Sequence, residues 1–166
     1  AANIGGLPAA RDNLISDAVI PQSETERRAL WEIRENFSAL FQRRPIFLYD
    51  VSLPIREMDA YIRQVQARLL KRWPNSRTDV IGHIGDGNLH LFVYPGAEGE
   101  HLHEQSDEDV YFPLKAIGGS ISAEHGIGTE KRDRLPISRS DEEIALMRLL
   151  KKTLDPKNIL NPGKVL

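Results

Sequence analysis

The residues best equipped for chemistry lie in GHIGDGNLH, where His83 and His90 flank a glycine-rich turn, and in AEHGIG, which holds Glu124 and His125. Asp-Gly between two alternating runs is a strong hairpin signal, so Asp86-Gly87 is expected to form a two-residue turn. Such a turn pairs residue 85 with 88, 84 with 89 and 83 with 90, setting the two histidines opposite one another. Opposed residues on one sheet face carry Cβ atoms about 4.5–5.5 Å apart, from which two imidazoles can converge on one ion at about 2.0–2.1 Å. A third ligand is needed, and Glu124 is the best candidate because Gly126 and Gly128 let the backbone approach a bound group closely. His125 is then free to act as a base. Strict strand geometry sends Glu124 and His125 to opposite faces, so this reading requires the strand to bend or end there. Asn88 could orient a ligand as well as shape the loop.

Each of these residues also has a plainer reading. His83 and His90 could be two surface histidines on a hairpin, GDGN only a turn, and Glu124 and His125 a solvated loop end. His101 and His103 in EHLHEQ read as solvent-facing helix residues. Arg34, between glutamates in WEIRE, reads as a solvated helix arginine, and KRDR after Gly128 as a solvated turn.

Composition narrows the chemistry. The chain has no Cys, so disulfides, thiolate nucleophiles and Cys-ligated zinc or iron–sulfur sites are excluded, and His and carboxylate must hold any metal. Its 166 residues, 40% hydrophobic and 28% charged, suit one soluble globular domain. With 22 Lys+Arg against 24 Asp+Glu, a formal net of −2, there is no basic field to attract nucleic acid, which is not an expected partner. Neither GxGxxG nor GxxxxGK[ST] is present, so a nucleotide cofactor would be held mostly outside these residues. No run approaches the roughly 18–20 apolar residues of a membrane helix, and the N-terminus lacks a secretory pattern. A cytoplasmic protein is expected, peripheral to a membrane only through an electron acceptor.

The positioning elements follow from periodicity. Residues 1–22 read as a poorly ordered leader, left from cloning or from a longer protein. Ser23 and Glu26 form a capping box ahead of a helix expected from about Glu24 to Arg43. PIFLYDVSLP reads as a strand between Pro45 and Pro54. REMDAYIRQVQARLLKRW reads as a helix with Met58, Ile62, Val65 and Leu69 on one stripe, stopped by Pro74. Asp79 to Tyr94 gives two antiparallel strands whose apolar set is Val80, Ile84, Leu89, Leu91 and Val93, leaving the histidine face open. A helix from Glu98 to Ala116, with Pro113 as a kink, precedes a fourth strand at SISAEH. A second capping box, Ser140 to Glu143, starts a last helix through Leu154, and the tail NILNPGKVL is expected to dock. The order β-α-β-β-α-β predicts an α+β fold: a ferredoxin-like split βαβ antiparallel sheet with helices on one face, plus extra N- and C-terminal helices.

GHIGDGNLH, SISAEHGIGTEKR and the terminal DPKNILNPGKVL, together with LWEIRE and YDVSLP upstream, make residues 23–166 resemble the C-terminal domain of FAD-linked oxidases, the D-lactate, glycolate and D-2-hydroxyglutarate dehydrogenase group within the vanillyl-alcohol-oxidase-like flavoproteins. The resemblance implies that His83, His90 and Glu124 are metal ligands for a divalent ion, Zn or Mn, and that His125 is the catalytic base. It implies that Arg34 binds the substrate carboxylate, with Ser38 as a further substrate contact and Asn88 beside them. It also implies that FAD is bound mainly by an N-terminal domain absent from these residues, with no flavin contact assignable here. The dicarboxylate-specific members carry Lys before YD, where this chain has Leu48, and Asn two positions after the second motif histidine, where it has Phe92. The first difference points to a small monocarboxylic 2-hydroxy acid such as lactate or glycolate. The isolated domain is expected to be inactive and, with its sheet face uncovered, a candidate homodimer.

Two other classes stay open on the residues alone. Two His and one Glu with an open position also suit a zinc hydrolase. An exposed sheet face also suits a non-enzymatic ferredoxin-like ligand-sensing or dimerisation module.

Overall fold

The computed structural model of the chain describes residues 18–36, 40–41 and 44–166. It comprises two compact units, Ala1–Gln42 and Arg43–Leu166, each described by itself. In the first, helix α1 spans Glu24–Glu35 and stops short of the predicted Arg43. The Ser23 hydroxyl accepts the Glu26 amide at 3.2 Å. The Glu26 carboxylate turns to the Gln22 amide at 2.7 Å, so the predicted capping box is only half formed. No side chain of α1 is buried. Ser38 and most of the predicted leader lie outside the described residues.

The second unit contains strand β1 (Phe47–Ser52), helix α2 (Met58–Arg72), strands β2 (Arg77–His83) and β3 (Asn88–Tyr94), helix α3 (Leu102–Tyr111) and helix α4 (Asp141–Leu154). The strands form an antiparallel sheet in the order β1-β3-β2. This is the predicted α+β class and, as far as α3, the predicted element order. One face, Tyr49, Val51, Leu89, Leu91 and Val93, packs on Met58, Tyr61, Val65 and Leu69 of α2 and on Val110 and Tyr111 of α3. Alternation in the strands meeting a three-to-four-residue stripe in the helices is what assembles this layer. Buried Asp109 of α3 ties the helices together, accepting from Arg68 Nε at 3.1 Å and Arg72 Nε at 2.6 Å.

Three expectations are corrected. The fourth strand is reduced to a single bridge between Ser52 and Ser120. Beyond it the amides bond to side chains instead of a ladder: Ile121 to the Ser138 hydroxyl, Ser122 to the Ser120 hydroxyl, and Ala123, Glu124 and His125 to the Asp50 carboxylate. The hairpin turn is also longer than two residues. A 3-10 turn occupies Ile84–Asp86, Gly87 is left-handed at φ 68°, and the register pairs His83 with Asn88 and Ile81 with His90. Ile84, expected in the core, therefore sits in the loop, 72% exposed. Third, α3 ends at Tyr111 and continues as a 3-10 segment, Phe112–Ile117, around Pro113, whose ring cannot donate to an α ladder.

The last helix carries the complete box, with the Ser140 hydroxyl accepting the Glu143 amide at 3.2 Å and the Glu143 carboxylate accepting the Ser140 amide at 2.7 Å. The tail docks as expected. Asp155 accepts the Ile159 amide at 2.9 Å, the Leu160 amide at 3.0 Å and the Lys151 ammonium, while the Val165 amide reaches the Gly128 carbonyl at 2.7 Å. Among the described residues no helix is long and apolar enough to cross a membrane.

Candidate metal centre

The sheet face turned away from α2 and α3 carries the candidate residues in two adjacent rows: Asp50, His90 and Ile81, then Ser52, Asn88 and His83. The register is displaced by two residues from the expected one, an even number, so the side chains that remain in the strands keep their predicted faces. His83 and His90 are diagonal neighbours instead of direct partners, a relation that long side chains can still bridge. Their rings meet edge to face with centroids 5.9 Å apart.

Glu124 comes to the same place from the loop after Ser120. Its Oε1 lies 3.7 Å from His83 Nε2 and its Oε2 lies 3.8 Å from His90 Nε2. The Asn88 side-chain amide donates to Glu124 Oε1 at 2.8 Å, which orients the carboxylate. Donors around one tetrahedral ion at about 2.0–2.2 Å stand about 3.4 Å apart, so the His83, His90 and Glu124 atoms, all within 4.8 Å of one another, need only small side-chain movements to close on an ion. Two imidazoles and a carboxylate are a borderline donor set that suits Zn or Mn. The chemistry and the spacing both fit.

The loop ends as a strand must for Glu124 and His125 to serve one site, and Asp50 is the cause. Its Oδ2 accepts the amides of Ala123 at 3.0 Å, Glu124 at 2.9 Å and His125 at 2.8 Å, and the Ser122 hydroxyl at 3.2 Å. Burial by itself would raise the Asp50 carboxyl, but the amides of His125, Glu124 and Ala123 outweigh it and hold the group below its ordinary value. The His125 ring stacks against His90 with centroids 5.7 Å apart, and Asp50, His90 and His125 form a second cluster of potential ligands sharing His90.

The site face is less open than expected: Asp50, Asn88 and Phe92 are 0%, 3% and 3% exposed. Glu124 and His83 are exposed there, with side chains 53% and 42% accessible. Arg34 belongs to the other unit, on α1, with its guanidinium 5.5 Å from the Trp31 ring centroid. Of the plain readings, His103 is not simply solvent-facing: it stacks on Phe47 at 4.7 Å on the helical side of the sheet. Lys131 of the KRDR run is half-buried and donates to the Ile121 carbonyl at 3.1 Å, and burial lowers its ammonium despite Asp50, Glu130 and Asp107 nearby. Asp50 is the residue that sequence reading missed. Its one available signal was an Asp in the middle of the apolar run FLYDVS, where a charge needs a partner.

The family model for FAD linked oxidases, C-terminal domain, matches residues 7–165. The chain belongs to that family. It is 42% identical over 156 residues to D-2-hydroxyglutarate dehydrogenase of Xanthomonas citri pv. viticola, covering 91% of this chain and 33% of the relative. The mitochondrial D-2-hydroxyglutarate dehydrogenase of Arabidopsis thaliana is 38% identical over 163 residues, 96% of this chain and 28% of the relative. That of Bos taurus is 39% identical over 155 residues, 92% and 28%. The chain thus spans about a third of the length of the curated relatives it matches.

Proposed function

We propose that the chain is the substrate- and metal-binding domain of an FAD-dependent D-2-hydroxy acid dehydrogenase. The observation that carries this reading is the convergence of His83, His90 and Glu124 beside His125 in a domain of the FAD linked oxidase family. His83, His90 and Glu124 would hold a divalent ion, which would supply Lewis acidity toward the hydroxyl and carboxylate of a bound 2-hydroxy acid, and FAD in a separate domain would supply the hydride acceptor. His125, on the loop and next to His90, takes the hydroxyl proton. Asn88 holds Glu124 in its ligating orientation. Arg34 is assigned to the substrate carboxylate through a bidentate pair, and Ser38 to a further contact.

A monocarboxylate such as lactate or glycolate is the preferred substrate. Leu48, 42% exposed, pairs with Phe92 on the site face one row beyond Asp50 and His90, so no cation there meets a distal carboxylate. The relatives' name favours a second reading, D-2-hydroxyglutarate. Turnover of D-lactate and D-2-hydroxyglutarate by the full-length flavoprotein decides between them, with faster turnover of D-lactate expected. Elemental analysis of the dialysed chain beside a folded His83→Ala, His90→Ala double variant tests the chelate: stoichiometric metal is expected in the first and none in the second. A cytoplasmic location and, for the isolated domain alone, a homodimer through the uncovered sheet face complete the proposal; light scattering of the isolated domain at high concentration checks the latter, and a monomer there removes it.

A further inference from the structure

We infer that Asp50 is the positioning residue of the site, building the Glu124 loop with one carboxylate oxygen and fixing the tautomer of His90 with the other. The inference rests on the proposed chelate and extends it by a residue that is not itself a ligand to the ion.

Oδ2 of Asp50 is saturated by three amides and a hydroxyl. Oδ1 is buried and has no hydrogen-bond partner, a costly condition for a carboxylate oxygen. His90 Nδ1 stands 3.8 Å away, about 0.6 Å beyond hydrogen-bonding range. The His125 ring belongs to the same cluster, within 4.8 Å, but makes no ion pair with Asp50 inside the distance that His90 reaches. His90 Nδ1 is thus the nearest imidazole nitrogen to Oδ1, while the His125 ring also favours the ionised carboxylate through its charge. A neutral imidazole has one N–H and one lone pair. A proton on Nδ1, directed at Asp50, leaves the lone pair on Nε2, and Nε2 is the nitrogen that faces Glu124 at 3.8 Å. A histidine that donates its other N–H to a carboxylate is oriented and made a stronger ligand, and loss of such a partner weakens metal binding about 10- to 100-fold.

Asp50→Asn separates the two duties. The carbonyl oxygen of Asn can still accept the loop amides, while its NH2 presents a donor to His90 Nδ1. His90 Nδ1 must then accept, the proton moves to Nε2, and the lone pair is turned away from the ion.

The test reads the His90 tautomer by two-bond 15N–1H correlation on the metal-free chain at about pH 9, above the range where free imidazoles titrate. Zinc affinity is read in parallel by competition with a chromophoric chelator. The wild type is expected to carry the proton on Nδ1. Asp50→Asn is expected to move it to Nε2 and to weaken zinc about 10-fold or more, with the Ala123, Glu124 and His125 amide resonances still dispersed. A wild-type proton on Nε2 overturns the inference, and this arm needs no variant to fold. Weaker zinc binding with an unmoved tautomer also overturns it, because the loop alone would then explain the loss. The tautomer is read without metal, so a wild-type chain that takes no zinc defeats the chelate while the tautomer still decides this inference.

Discussion

Asp50 and Asp109 are both buried acids in the same unit, at 0% and 3% exposure, yet they are satisfied in opposite ways. Asp109 meets two guanidinia, with Arg72 Nε and Arg68 Nε on its two oxygens, and Arg72 is held above its ordinary value chiefly by that hydrogen bond. Asp50 meets no Lys or Arg within ion-pair distance among the described residues. It spends one oxygen on backbone amides and leaves the other facing an imidazole. A saturated acid with cations on both oxygens joins two helices and has nothing left to offer. An acid with a spare oxygen beside a candidate metal-binding histidine keeps a capacity that a site can use. Burial alone does not mark a functional carboxylate; incomplete satisfaction next to chemistry does.

Substituting each acid in turn should separate the two roles. The largest effect is expected for Asp50→Ala, which removes the loop anchor and the His90 partner together: zinc affinity should fall about 100-fold in a chelator competition. Asp109→Ala should leave that affinity unchanged and instead lower stability to urea. Arg68 and Arg72 are 36% and 31% accessible and can turn to solvent, so the loss should be about 1–2 kcal/mol, short of that for a fully buried pair.

Asp155 supplies an intermediate case, holding two tail amides with Lys151 as its cation. The Lys151 hydrogen bond keeps its carboxyl below the ordinary value. The folded form therefore gains stability from this group above the ordinary carboxyl range, and loses it as pH falls through the depressed value. Protection of the Ile159 and Leu160 amides, relative to that of the Trp73 amide, should persist at about pH 5 and decline toward about pH 2. The smallest effect is expected for Ser140→Ala, which removes one half of the α4 capping box and should cost about 1 kcal/mol in thermal unfolding with the site untouched.

The sequence made the layer legible because alternation and helical stripes report burial directly. Val80, Leu89, Leu91 and Val93 face the side expected, and both predicted capping serines accept the expected amide. The histidine pair and the EHG loop could be singled out as a candidate metal set, since few residue types bind metal without cysteine, and His83, His90 and Glu124 do come together. Register was not, because Asp-Gly signals a turn without stating its length, and Ile84–Asp86 tightened into a 3-10 turn. The fourth strand was not either. Its composition suits a ladder, but a side chain 73 to 75 residues upstream competes for its amides, and a contact so distant in sequence leaves no local periodicity. Arg34 is legible only as a family correspondence, for its unit is a single described helix with no buried side chain.

Three successive amides, those of Ala123, Glu124 and His125, share a single acceptor atom. Displacing Asp50 Oδ2 therefore frees all three amides at once, leaving the side-chain bond from Asn88 to Glu124 as the remaining tie between this segment and the sheet. The amides of the segment bearing Glu124 and His125 are thus expected to lose protection as one group, with a shared exchange rate.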